Sequence, residues 1–115
     1  MQQTRLERLT EAIHREISEL IEYELEDERF ADVSVTAVKL AKDLSVAKVY
    51  FEVTDNQDIS VILEALKKAA GFIRYQLSLR LQLRKVPELL FFYDETSKKA
   101  SRIEQLLREE GGERP

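Results

Sequence analysis

The spacing of apolar residues changes along this chain from a helical period to a strand period and back. That change fixes the order of elements before any other property is weighed. In residues 5–25, Leu6, Leu9, Ile13, Ile17, Leu20, Ile21 and Leu25 recur at intervals of three and four, the mark of an amphipathic helix. Thr4 is placed to cap it, and Glu7 stands three residues on as the partner of a capping box. The charged run Glu26-Asp27-Glu28-Arg29 should follow its end. The pattern then changes. VSVTAVKLA (33–41) and LSVAKVYFEVT (44–54) are rich in β-branched and aromatic residues around the short turn Lys42-Asp43, which predicts a β-hairpin. In the second of these strands Ala47, Val49, Phe51 and Val53 alternate with Lys48, Tyr50 and Glu52, so the first set should face the core. The first strand alternates too poorly to assign an inward face.

Asp58 is the expected N-cap of a second helix, carried by Ile59, Ile62, Leu63, Leu66, Ala70, Ile73 and Leu77 towards Leu83. Gly71 interrupts that pattern. A glycine costs a helix about 1 kcal/mol relative to alanine, so a kink, a helix junction or a close backbone approach is expected there. Pro87 ends that region, and PELLFFYD (87–94) reads as a third strand with Leu89, Phe91 and Tyr93 on one face and Leu90 and Phe92 on the other; apolar residues on both faces predict a well-covered strand. Thr96 or Ser97 should cap a last short helix with Ile103, Leu106 and Leu107 turned inward. The order is that of an α+β domain. A helical crossover between the second and third strands favours a parallel pairing, giving a three-stranded mixed sheet with helices packed on it. One domain over 1–110 and a frayed tail over 111–115 are expected.

Charge matters here by its distribution. The chain of 115 residues carries a net −4, which by itself disfavours nucleic acid as a partner. Residues 1–32, however, hold ten acids against four bases, whereas residues 65–87 hold six bases and no acid. The bases are Lys67, Lys68, Arg74, Arg80, Arg84 and Lys85. Local field decides where a polyanion docks. On one straight helix Lys67, Gly71, Arg74, Ser78 and Lys85 would share a face, with Lys68, Arg80 and Arg84 flanking it less regularly. Residue type and spacing leave two readings open: an RNA-backbone surface, or a solvated face whose bases pair with the acidic first helix. Phe72 and Tyr75, three residues apart, offer base stacking, but core or half-buried positions beside the kink are the expected role.

Catalytic chemistry finds no footing. The absence of cysteine removes disulfides, thiolate metal sites and a thiol nucleophile, and suits a reducing compartment. His14 is the only histidine, lies on the first helix, and is expected to have a structural or surface role. Asp43 and Asp94 stand at strand ends, where caps and turns use aspartate. No phosphate-binding glycine loop or metal-ligand spacing is present, so no catalytic residue, no cofactor and no metal are expected. The N-terminus lacks the apolar core of a secretory signal, and no apolar run approaches a membrane span. A cytoplasmic location without membrane contact is expected.

Three stretches taken together resemble the ribosome-binding factor A family: VTAVKLAKDLSVAKVYFEV in the hairpin, AAGFIRYQLSLRLQLRKVPEL across Gly71, and FFYDETSKKASRIEQLL near the end. The resemblance covers about Arg5 to Leu107. It implies a KH domain of type II topology in which Ala69-Ala70-Gly71 stands as an Ala-x-Gly interhelical kink in place of the usual Gly-x-x-Gly loop. It further implies a monomeric, non-enzymatic partner of the small (30S) ribosomal subunit and its 16S rRNA. Such a factor acts late in maturation, assists processing of the 5′ end of the precursor RNA, and matters most in the cold. Two loops depart from the family pattern. Asp27-Glu28-Arg29 replaces the family's frequent Asp-Pro-Arg, and Lys99-Ala100-Ser101 lacks a common glycine. The competing readings are a protein-interaction α+β module with no RNA role, and a small α+β enzyme for which neither nucleophile nor arginine clamp is found.

Overall fold

The structure, a computed structural model, describes residues 3–54, 58–96 and 106. Helix α1 spans Arg5–Glu19 and opens on the expected capping box: Thr4 Oγ1 accepts the Glu7 N–H at 3.1 Å while the Glu7 carboxylate takes the Thr4 N–H. Its last turn widens. Leu20–Glu24 form a π-helical turn closed by the Leu25 N–H on the Leu20 carbonyl at 2.7 Å, so the predicted single helix over 5–25 is an α-helix with a π-helical end. The inserted residue turns the helix phase and lets the neighbours Leu20 and Ile21 both enter the core.

Strands β1 (Val33–Leu40) and β2 (Val46–Val53) pair antiparallel, and β3 (Glu88–Tyr93) adds to β2 in parallel, giving a three-stranded mixed sheet in the order β1-β2-β3. Ala47, Val49 and Phe51 are fully buried, as their alternation predicts. The poor alternation of β1 has a cause. Val35 pairs with Phe51 and Ala37 with Tyr50, so Thr36 is the extra residue of a bulge. The buried set therefore jumps from Val33 and Val35 to Val38. At the hairpin, Leu44 adopts the left-handed conformation (φ 64°), a position glycine or asparagine usually fills.

Helix α2 (Ile59–Arg80) crosses from β2 to β3. Asp58 caps it, accepting the Ser60 N–H at 3.0 Å. It runs unbroken through Ala69, Ala70 and Gly71, which corrects the expected break into two helices near Gly71. Gly71 does not have a positive φ, and the burial of Leu66, Ile73 and Leu77 on either side outweighs the small helix penalty of one glycine. The helix stops later, in a Schellman arrangement. Gln82 is left-handed (φ 51°) and the Leu83 N–H reaches back to the Ser78 carbonyl at 3.2 Å. The core lies between the helices and one face of the sheet. The other face stays open among the described residues: Phe92 is 40% exposed, against the expectation of a strand covered on both sides. Of the expected last helix, Thr96 and Leu106 are described and helical. Leu106 is exposed rather than inward. The Thr96 N–H donates to Asp94 Oδ1, so a carboxylate stands where a hydroxyl cap was expected. Ser97, Ile103, Leu107 and the tail lie outside the described residues.

Candidate nucleic-acid interface

α2 turns Ile62, Leu66, Ile73 and Leu77 to the core, and that line fixes what the opposite side presents. Val61, Lys68, Phe72, Tyr75 and Leu79 follow one another along the outside at helical spacing. Phe72 is 50% and Tyr75 59% exposed, partly covered positions rather than core ones; the helical phase set by Leu66, Ile73 and Leu77 keeps both rings out of the core. Lys67 and Lys68 are exposed beside them, and neither makes an ion pair among the described residues. Gly71 lies on the same side, one turn along. A Cβ built there meets nothing within 4 Å, so the helix surface is bare at that point.

The other four predicted bases separate. Arg74 is a tether: its guanidinium donates to the carbonyls of Pro87 (3.0 Å) and Val86 (3.0 Å), tying α2 to the start of β3. Arg80 turns to the acidic N-terminal region. It grips both carboxylate oxygens of Glu24 at 2.7 Å and reaches Glu16 at 3.3 Å. The hydrogen bond from Arg80 and its positive charge hold the Glu24 carboxyl below its ordinary value, and the same contacts push the Arg80 guanidinium higher still. The bland reading, bases pairing with the first helix, is thus right for Arg80, and Lys67 and Lys68 escape it. Arg84 and Lys85 are exposed in the segment between α2 and β3, with the Lys85 ammonium 3.4 Å from the Asp43 carbonyl. Lys67 and Arg80 are thirteen residues apart, about 20 Å along a helix, so the Lys67–Lys68 pair and the Arg84–Lys85 pair form two separate basic points.

The parallel pairing of β3 with β2 adds bases that a linear charge count hides. The Glu88 N–H donates to the Ser45 carbonyl at 2.9 Å, which lays the Arg84–Lys85 segment beside the hairpin. Lys39, Lys42 and Lys48 of that hairpin are exposed. They sit in a stretch whose acids outnumber its bases, so only the sheet register brings them to notice.

His14, Asp43 and Asp94 each have a structural partner. His14 Nε2 lies 3.3 Å from the Val35 carbonyl, fixing α1 against β1. Asp43 Oδ1 accepts the Ser45 hydroxyl and N–H in the hairpin, which lowers its pKa. Asp94 accepts the Thr36 hydroxyl at 2.6 Å as well as the Thr96 N–H, and these bonds bring its pKa down to about 2. Among the described residues no group of His, Cys, Asp and Glu is arranged to hold a metal, and no helix is long and apolar enough to cross a membrane.

The family model of ribosome-binding factor A matches residues 5–107. The chain belongs to the ribosome-binding factor A family. A family member from Desulfitobacterium hafniense (strain DSM 10664 / DCB-2) is 46% identical over 109 residues, covering 94% of this chain and 87% of that one. One from Coxiella burnetii (strain Dugway 5J108-111) is 39% identical over 103 residues, covering 90% and 87%. The crystal structure of ribosome-binding factor A from Thermus thermophilus superposes with a TM-score of 0.71 at 32% identity, covering 78% of this chain and 97% of that one. A homology model of the Thermus thermophilus factor, fitted into a cryo-electron microscopy map of a 30S–RbfA complex, gives 0.66 at 34% identity, covering 77% and 94%.

Proposed function

We propose that this chain is a non-enzymatic assembly factor that binds the small (30S) ribosomal subunit through its 16S rRNA. The observation that carries the proposal is the outer side of α2. There Lys67 and Lys68 are free of ion pairs among the described residues, beside the exposed rings of Phe72 and Tyr75 and the bare backbone at Gly71. Phosphates are met by lysine, bases by aromatic faces, and a bare helix surface admits a sugar–phosphate chain closely. Membership in a family with a relative fitted to a 30S complex map supports the same partner. Lys67, Lys68, Arg84 and Lys85 are the phosphate contacts in this reading; Arg74 and Arg80 hold the fold.

The finer assignments rest on the family resemblance. They are a KH-type II domain over residues 1–110 acting as a cytoplasmic monomer, service late in maturation, help with processing of the 16S 5′ end, and a growing requirement in the cold. With α2 uninterrupted, recognition in this reading works without a Gly-x-x-Gly loop or a helix break.

Co-sedimentation with purified small subunits at two salt concentrations tests the proposal. Counterion release makes phosphate-driven binding fall steeply with salt, and each lost phosphate contact flattens the slope by about one unit or slightly less. The double substitution Lys67→Glu/Lys68→Glu should weaken pelleting and flatten the slope. Binding that ignores both salt and these substitutions would instead fit the protein-interaction reading, which the apolar Val61 and Leu79 on the same stripe favour.

A further inference from the structure

The open face of the sheet carries groups that the α2 interface does not use. Tyr50 and Phe92, neighbours across the β2–β3 pairing, stack with ring centroids 5.5 Å apart and planes 28° from parallel. The Lys39 ammonium stands 5.3 Å from the Tyr50 ring centre. Lys39 is also directly opposite Lys48 in the β1–β2 register, and both side chains point to the same open face. Like charges in direct cross-strand opposition destabilise a sheet. Neither lysine has a carboxylate partner among the described residues to offset that repulsion. An unfavourable pair of cations beside an exposed aromatic stack calls for an anion that also carries flat rings.

We infer that this sheet face is a second RNA site, one that takes an unpaired strand. Its bases lie on Tyr50 and Phe92, and its phosphates lie between Lys39 and Lys48. The inference rests on the proposed RNA role and adds a separate surface to it, since α2 packs on the opposite face of the sheet. Charge gives the site a direction. At the hairpin end Lys39 and Lys48, with Lys42, Arg84 and Lys85 nearby, outnumber the acids Asp43 and Glu88, whereas Glu52 and Asp94 lie at the far end of the same strands. A strand would therefore run its backbone out towards the hairpin. Paired RNA hides its base faces within the helix, so this surface discriminates single strands from duplex.

The chain contains no tryptophan, so Phe92→Trp in the full-length protein is a clean reporter. Titration with a single-stranded oligouridylate should quench its fluorescence, and a fully paired RNA duplex of equal length should leave it unchanged. Adding Lys48→Glu should weaken the single-strand titration by about ten-fold. The same change turns a like-charge pair into an opposite-charge pair with Lys39, so the urea midpoint should rise. A variant that gains stability as it loses single-strand affinity identifies cations placed for a ligand. Lys67→Glu/Lys68→Glu on the reporter should keep the quenching and lose subunit pelleting, which separates the two surfaces. Four results overturn the inference: no quenching by the single strand, equal quenching by duplex, an affinity untouched by Lys48→Glu, or a signal that follows protein concentration alone, as a second copy on this face would give. If the reporter protein pellets with subunits yet shows no quenching, the sheet site alone falls; if it does neither, the parent reading falls with it.

Discussion

Strand β2 has two faces with opposite demands. Ala47, Val49 and Phe51 lie against the helices with no exposed surface, whereas Lys48 and Tyr50, interleaved with them, face outward under a lysine and a neighbouring ring. The same eight residues thus supply the centre of the core and the middle of a polar, aromatic platform. Residues on the covered face are chosen by volume. Those on the open face are not needed for packing, and their like charges work against the sheet.

The sharpest way to break this contrast is to cut adjacent residues. Phe51→Ala should remove about 3–5 kcal/mol from unfolding free energy, because the ring is fully enclosed and the cavity it leaves cannot collapse. Tyr50→Ala, one residue earlier, should cost less than about 1 kcal/mol, the usual size of a cross-strand aromatic pair. Urea denaturation of the two variants measures the gap. Comparable losses would mean that the outer face is as structural as the inner one.

Much of the covered half was legible because its signals are local or periodic. The capping box of Thr4 and Glu7, the Asp58 cap and the alternation through Phe51 are each written in a few neighbouring residues. The open half and the interface were less so. The bulge at Thr36 breaks the β1 alternation without a glycine or proline to announce it. Gln82 ends α2 in a conformation that glycine normally signals, while Gly71, which looks like a breaker, sits inside an intact helix. The grouping of Arg84 and Lys85 with Lys39, Lys42 and Lys48 depends on the parallel register of β3, which brings together residues some forty positions apart. The outward phase of Phe72 and Tyr75 was available from the helical wheel, once Leu66, Ile73 and Leu77 are taken as its buried line.

A second comparison separates bases that hold the fold from bases left free. Arg80→Ala should lower the urea midpoint at neutral pH and leave the salt dependence of subunit binding unchanged; Arg84→Ala should do the reverse. The Glu24 carboxyl is held below its ordinary value chiefly by the Arg80 hydrogen bond. Its contribution is therefore present above the ordinary carboxylate value and lost as the pH falls through its lowered one. The midpoint difference between wild type and Arg80→Ala should shrink in acid. A salt slope flattened by Arg80→Ala would move that residue into the interface.

Asp94 gives a smaller effect in the same direction. Its pKa is lowered from 3.8 to about 2, first by the Thr36 hydroxyl and then by Thr96. A depressed carboxylate stabilises the fold above 3.8, and that contribution fades as the pH drops towards 2. Asp94→Asn should be less stable than wild type at neutral pH, and the two unfolding curves should converge near pH 2. A difference that persists unchanged at that acid limit would place the role of Asp94 in shape rather than charge.

The smallest expected effect on stability bears directly on the outer side of α2. Gly71 is helical, has open space where a Cβ would go, and does not have a positive φ. Gly71→Ala should therefore stabilise the protein by about 0.4–1 kcal/mol, mainly by narrowing the unfolded ensemble. Folding alone thus favours alanine at this position. If an RNA backbone lies against the bare turn, the added methyl should raise the urea midpoint and weaken subunit binding at once. Ala69 supplies the internal control. It is half-buried and packs against the core, so Ala69→Leu should overpack and cost about 1–3 kcal/mol, with binding reduced only as far as folding is. A Gly71→Ala protein that is more stable and binds subunits as wild type does would show that nothing presses on this turn, and would move the contact along α2 towards Phe72 and Tyr75.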